Sequence, residues 1–228
     1  EMDQHITKYN SWDDIFYYCD HSANPVGDIV LRILGYTENS NITFSNKICT
    51  GLQITNFIQD IKVDHCKNRT YIPQNLLKKH NLDFSSINKV TKNDINFLSK
   101  FDNLLADLIQ ENQQLYDEGR ILIKNLSKKH AIIINIFLLS GQTILNKIRN
   151  QKSNILFKKP RTNKLEKLKH EKFSFYKLDI SEKDDIIKTV NQIVATETVD
   201  VLINNAAQAI FTESSKRKKE ENDCKRVS

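Results

Sequence analysis

The run from Ile48 to Asp64 constrains this chain more than any other stretch. It contains no proline and one glycine, Gly51, and its apolar residues recur at helical spacing. On a wheel of 100° per residue, Gln53, Asn56, Asp60 and Asp64 fall within about 80° of one another, with no lysine or arginine among them. Ile54, Phe57, Ile58 and Ile61 form a broad apolar face beside that stripe. Thr55, Gln59 and Lys62 make a second polar face roughly opposite the first. An ordinary surface helix has one polar and one apolar face. This one has two polar faces, and one is built only from short oxygen-bearing side chains.

Asp60 and Asp64 are a like-charged pair at i, i+4, which costs an isolated helix a few tenths of a kcal/mol. A cation between them reverses the sign of that contribution. Mg²⁺ is the natural candidate, because it takes one or two carboxylates and completes its shell with water and phosphate oxygens. The plainer alternative is a solvated face that carries two aspartates.

The rest of the chain to about residue 170 reads as helices. Residues 1–10 are polar and read as the tail of an upstream element. Ser11 is a candidate N-cap with Asp13 and Asp14 in the first turn, for a helix running to Asp20. Pro25 breaks or kinks the chain within Ala23–Gly27, and Gly35 closes the helix that resumes after it. Residues 36–43 read as a loop, with Ser45 capping the long central helix. A short helix follows over Gln74–His80, then a loop at Leu82–Ser86. Thr91 reads as the cap of a helix over Lys92–Lys124, and Ser127–Arg149 as a further one. Asp107 and Glu111, the other carboxylate pair at i, i+4, sit among Gln110, Asn112 and Gln113 and read as solvated. His65 and His80 have no partner at metal-ligand spacing.

With 228 residues, 39% hydrophobic and 27% charged, the chain has the means for a core on the polar side of normal. Its net charge of +6 suits an anionic partner: a diphosphate, a lipid headgroup surface or nucleic acid. No aromatic-rich basic element or zinc spacing supports nucleic acid, which is set aside. The four cysteines have no paired short spacing, and the usage reads as cytoplasmic. Cys19 and Cys49 lie in apolar runs that suit small buried side chains. The longest apolar run, Ala131–Leu139, is interrupted by Asn135 and is too short to span a bilayer.

Two motifs carry a family resemblance. LQITNFIQDIKVDHCKNRTYIP, from Leu52 to Pro73, resembles the second aspartate-rich motif of the squalene/phytoene synthase family. YCDHSANPVG, from Tyr18 to Gly27, resembles the upstream signature of the same family, at the right intervening length. The SANPVG and NRTYIP wording is most like its bacterial hopanoid branch, the hydroxysqualene synthases of the HpnC type. Ile144–Leu168 resembles the basic C-terminal end of the family. Lys158, Lys159 and Arg161 there face a phosphate, a membrane surface or, on the plainest reading, only solvent.

The resemblance implies an all-α helical bundle of the isoprenoid-synthase type, present in part over residues 1–170. It implies Mg²⁺-assisted ionisation of a prenyl diphosphate, namely farnesyl, geranylgeranyl or presqualene diphosphate, in a cytoplasmic protein with room for peripheral membrane contact. Carried over residue by residue, it makes Asp60 and Asp64 a metal clamp and Tyr18 a residue lining the reaction centre. Gln53 and Asn56 orient waters or phosphate oxygens, and Arg69 and Tyr71 contact the diphosphate. Members of the family carry a second, earlier DxxxD, and no other DxxxD occurs in this chain. The motif order puts it upstream of Glu1, and a chain without it is expected to be impaired.

Beyond residue 170 the composition changes. Phe173–Asp179 and Val199–Asn204 read as strands flanking an amphipathic helix over Ser181–Ala195. This β-α-β fragment, placed over 171–213, resembles a piece of a short-chain dehydrogenase/reductase. It lacks the glycine-rich phosphate loop, since no glycine follows Gly141, and it lacks the Tyr-x-x-x-Lys pair. Residues 214–228 read as a charged, disordered tail. Three functions therefore compete: a prenyl diphosphate synthase, a non-catalytic relative of the type seen among complex I assembly factors, and an NAD(P)-dependent oxidoreductase fragment.

Overall fold

The computed structural model describes residues 5–161, and every regular element among them is helical. The β-α-β fragment at 171–213 and the tail at 214–228 lie outside the described residues. Extended chain at residues 6–10 leads into the helix that starts at Trp12 and is held against residues 70–74. Thr70 N donates to Thr7 O at 2.8 Å, Gln74 N donates to Tyr9 O at 2.9 Å, and Tyr9 is buried. A single parallel bridge pairs Lys8 with Thr70.

Helix α1 spans Trp12–Ser22, and Ser11 caps it in a full capping box with Asp14. Asn10 N also donates to Asp14 Oδ2, at 2.6 Å. Helix α2, Asn24–Ile33, starts with Pro25 in its first turn, where the missing N–H costs nothing. Gly35 then takes φ 87°, the left-handed closing position that favours glycine.

The central helix α3 spans Asn39–Gln59, so it starts six residues before Ser45. The Asn39-Ser40-Asn41 stretch has loop composition, but burial of Asn41 and its bond from Asn125 Nδ2 at 2.8 Å draw it into the helix. Ser45 is buried in mid-helix, where α2 crosses closely. A Cβ on Gly27 would stand 2.5 Å from Ser45 Oγ and 2.6 Å from Cys49 Sγ. Cys19 is buried and Cys49 half-buried, both as free thiols. Burial pushes the Cys19 thiol up to about 12.

Short helices α4, Ile61–Cys66, and α5, Gln74–Lys79, follow. The expected loop at Leu82–Ser86 contains the start of a 3-10 turn, Phe84–Lys89, which Asp83 caps through Ser85 N. Helix α6 spans Ile95–Gly119, shorter at both ends than the sequence reading. Asp94 occupies its N-cap position, and its carboxylate accepts from Thr91 N at 2.7 Å and Thr91 Oγ1 at 2.8 Å. Helix α7 is the single turn Leu122–Asn125. Helix α8, Lys128–Gln151, is capped by Ser127 and runs into a second 3-10 turn, Lys152–Leu156.

Residues 128–156 are long and apolar enough to cross a membrane by length and composition, although the Ala131–Leu139 run alone is not. Here Ile134, Leu138, Gly141, Leu145 and Ile148 of that stretch are buried in the bundle. Asp107 is not simply solvated, because Lys79 Nζ and His80 Nε2 both meet its Oδ2 at 2.7 Å.

Helices α3, α6 and α8 meet around Tyr116. Its ring lies between two glycines: a Cβ on Gly51 would be 2.9 Å from Cε1, and one on Gly141 would be 2.2 Å from the hydroxyl. Thr55 Oγ1 bonds that hydroxyl at 2.8 Å and receives Asn112 Nδ2 at 2.8 Å. All three residues are fully buried or nearly so. Thr55, the start of the second polar face, is therefore a core hydrogen-bonding residue.

Candidate active site

The helix expected to run unbroken to Asp64 is two helices joined at Asp60, whose backbone sits at φ −108°, ψ 14°. The ladder survives the join. Asp60 N donates to Asn56 O at 2.9 Å, and Asp64 N donates to Asp60 O at 2.8 Å. The like-charged pair weakens the helix at this point, and the residues around the join are engaged by another part of the chain. Gln59 Nε2 donates to the Pro160 carbonyl, and the Lys159 ammonium pairs with the Asp60 carboxylate. Lys62 lies over the Phe157 ring, 5.6 Å from its centroid. Gln59 and Lys62 thus complete the account of the second polar face, which meets the C-terminal segment of the described chain.

Asp60 and Asp64 do not point into bulk solvent. The Asp60 side chain is 29% exposed, and Asp64 is half-buried. Burial, and secondly the Asp60 charge, push the Asp64 carboxyl from an ordinary 3.8 up to about 7. Lys67, Arg69 and Lys159 pull it the other way without cancelling the rise. Asn68 takes φ 58° in the turn beyond α4, a left-handed position that asparagine tolerates. That turn sends the chain back, with Arg69 N bonded to Asp64 O at 2.9 Å. Arg69 is half-buried and acts electrostatically on Asp64.

Tyr18 and Tyr71 meet beneath this turn. Their ring centroids are 5.5 Å apart, and Phe57, from the apolar face of α3, stacks on Tyr71 at 4.0 Å and lies 5.7 Å from Tyr18. Tyr9 packs on both tyrosines. On α3, Gln53 is half-buried and Asn56 exposed, one turn before the join. Asp60, Asp64 and Arg69 are thus electrostatic neighbours, and Tyr71, two residues beyond Arg69, joins Tyr18 and Phe57 in a buried aromatic cluster. Among the described residues no group of three or more His, Cys, Asp or Glu side chains converges as a metal site.

In the sequence Lys159 groups with Lys158 and Arg161, facing a phosphate, a membrane surface or solvent, with no signal that it meets Asp60. The contact depends on where the segment around buried Pro160 lies.

An all-helical bundle with two aspartates at the join of α3 and α4, together with a buried aromatic cluster, is consistent with an isoprenoid-synthase-type fold. The squalene/phytoene synthase family profile matches residues 1–169, and the chain belongs to that family. A hydroxysqualene synthase from Rhodopseudomonas palustris is 39% identical over 77 residues, 33% of this chain and 26% of that protein. Phytoene synthase 2 of Solanum lycopersicum is 27% identical over 175 residues, 73% of this chain and 54% of the relative. The crystal structure of squalene synthase HpnC from Alicyclobacillus acidocaldarius superposes with a TM-score of 0.60 at 31% identity, covering 66% of this chain and 55% of that one. The chain thus spans from about a quarter to about half the length of these relatives. The family match ends before the dehydrogenase-like stretch, which gains no support from it.

Proposed function

We propose that this chain carries the diphosphate-binding half of a squalene/phytoene synthase site, which acts on a prenyl diphosphate such as farnesyl, geranylgeranyl or presqualene diphosphate. The observation that carries the reading is the partly buried Asp60–Asp64 pair, with Asp64 pushed up to about 7 by burial and by its neighbour. Two carboxylates held together against their own repulsion fit one Mg²⁺, which takes one or two carboxylates and leaves positions for phosphate oxygens. When bound, Mg²⁺ supplies charge neutralisation at the departing diphosphate.

The chain's own residues then have distinct tasks. Asp60 and Asp64 hold the ion. Gln53 and Asn56, on the same face of α3, orient water or phosphate oxygens beside it. Arg69, already in the field of Asp64, offers a planar guanidinium to the diphosphate. Tyr18 and Tyr71, packed with Phe57 and Tyr9 in a buried cluster, form an aromatic wall that excludes water from that side of the site.

A second reading, a non-catalytic relative, is favoured by the Lys159 ammonium, which already pairs with the Asp60 carboxylate. One experiment separates the two. Farnesyl diphosphate binding is measured by calorimetry with and without Mg²⁺, on the wild type and on Asp60→Ala. Metal-dependent binding that Asp60→Ala abolishes supports the first reading. Binding that ignores Mg²⁺, or no binding at all, supports the second.

A further inference from the structure

Lys159 is the unexpected member of this site, and its position is built, not incidental. Two contacts strap residues 157–161 across the α3–α4 join, Gln59 to the Pro160 carbonyl and Lys62 over the Phe157 ring, and Lys147 Nζ of α8 holds the far end at the Arg161 carbonyl, 3.0 Å away. Pro160 is buried, and Ile155 and Leu156 anchor the turn that leads into it. The strap delivers one ammonium group, 31% exposed, onto the carboxylate of Asp60. Its neighbours Lys158 and Arg161 are exposed.

We propose that Lys159 is the resident counter-cation of the acidic pair, yielding Asp60 to a divalent ion and then serving as a ligand of the diphosphate. This rests on the function proposed above. The argument is one of competing partners. A carboxylate beside a second carboxylate needs positive charge near it. In the metal-free protein Lys159 provides it. A divalent ion on Asp60 displaces a monovalent one, because both seek the same oxygen. The strap keeps the displaced ammonium within the site, where the strongest remaining anion is a phosphate oxygen. Lysine suits such an exchange, since its ammonium is a compact charge on a flexible stem with three donors. No bond is made or broken; ligands are only exchanged.

The two halves predict opposite signs for one substitution. In Lys159→Met, Mn²⁺ binding, followed by electron paramagnetic resonance of the free ion, tightens. Binding of inorganic pyrophosphate in the presence of Mg²⁺, followed by calorimetry, weakens. A half-exposed ion pair corresponds to about two- to fivefold in each constant. Lys159→Arg and Lys158→Met stay near wild type, which separates position and charge from a general loss of basicity. A wild type that binds no Mn²⁺ while Lys159→Met binds it also supports the proposal.

Unchanged Mn²⁺ affinity in Lys159→Met overturns it while leaving the metal site standing. Weakening of both ligands overturns it too, because Lys159 then merely shapes the site. Tighter Mn²⁺ with pyrophosphate unweakened removes the transfer to phosphate, and with it the proposal. Absence of Mn²⁺ binding in wild type and variant alike overturns both this inference and the function on which it rests.

Discussion

Asp64→Asn is expected to stabilise the protein at pH 8 and to do nothing at pH 4. The native carboxyl holds its proton up to about pH 7, whereas the unfolded chain releases it near the ordinary 3.8. Between those values the native state binds more protons. This contribution to stability is therefore fully present below about pH 4, falls as pH rises, and is gone above about pH 7. The interval corresponds to roughly 4 kcal/mol. Because Asp64 is only partly buried, screening by solvent trims that to about 2–3 kcal/mol. Asparagine keeps the shape and removes the charge, so the variant avoids the loss. Urea unfolding of both proteins at several pH values reads the difference as a shift in midpoint at constant slope. The gap should open between pH 4 and 7 and stay level above. Millimolar Mg²⁺ at pH 8 should narrow it, by stabilising the wild type alone. A gap that is the same at pH 4 and pH 8 would refute the reasoning, since it would owe nothing to ionisation.

Two further outcomes probe the frame that holds this site. Gly141→Ala should destabilise by about 2–4 kcal/mol in urea unfolding. The new methyl meets the Tyr116 hydroxyl, which Gly51 and Thr55 prevent from retreating, and overpacking together with a broken buried hydrogen bond outweighs the gain in helix propensity of about 1 kcal/mol. In the Tyr116→Phe background the same change should cost clearly less, so a strictly additive double-mutant cycle would count against this packing. Ser11→Ala should cost about 1 kcal/mol through loss of the α1 cap, read as a lower urea midpoint without a change in slope.

The parts of this molecule that were legible in the sequence are those governed by local chemistry. Ser11 capping a helix with Asp14 in its first turn, Pro25 interrupting the helical run and Gly35 closing the next helix are set by the local backbone, and the structure has all three, with Pro25 in the first turn of α2. Boundaries set from a distance were misread. Asn39 to Asn41 look like a loop until Asn125 satisfies Asn41, and the α3–α4 join at Asp60 appears only once residues 159–160 lie against it. The two polar faces of the central helix were legible as a pattern, but their meanings differ for reasons no wheel contains. Thr55 is polar because Tyr116 and Asn112, 61 and 57 residues away, need a partner in the core. Gln59 and Lys62 are polar because a later segment crosses them. Once those three are accounted for by contacts within the described chain, what is left over is Gln53 and Asn56 on α3, Asp60 at the join and Asp64 on α4. Lys159 reaches only Asp60 of that set through an ion pair. Burial first, and the Asp60 charge second, keep the Asp64 carboxyl raised although Lys67, Arg69 and Lys159 all act against the rise, and the divalent ion proposed above would relieve the second of these causes.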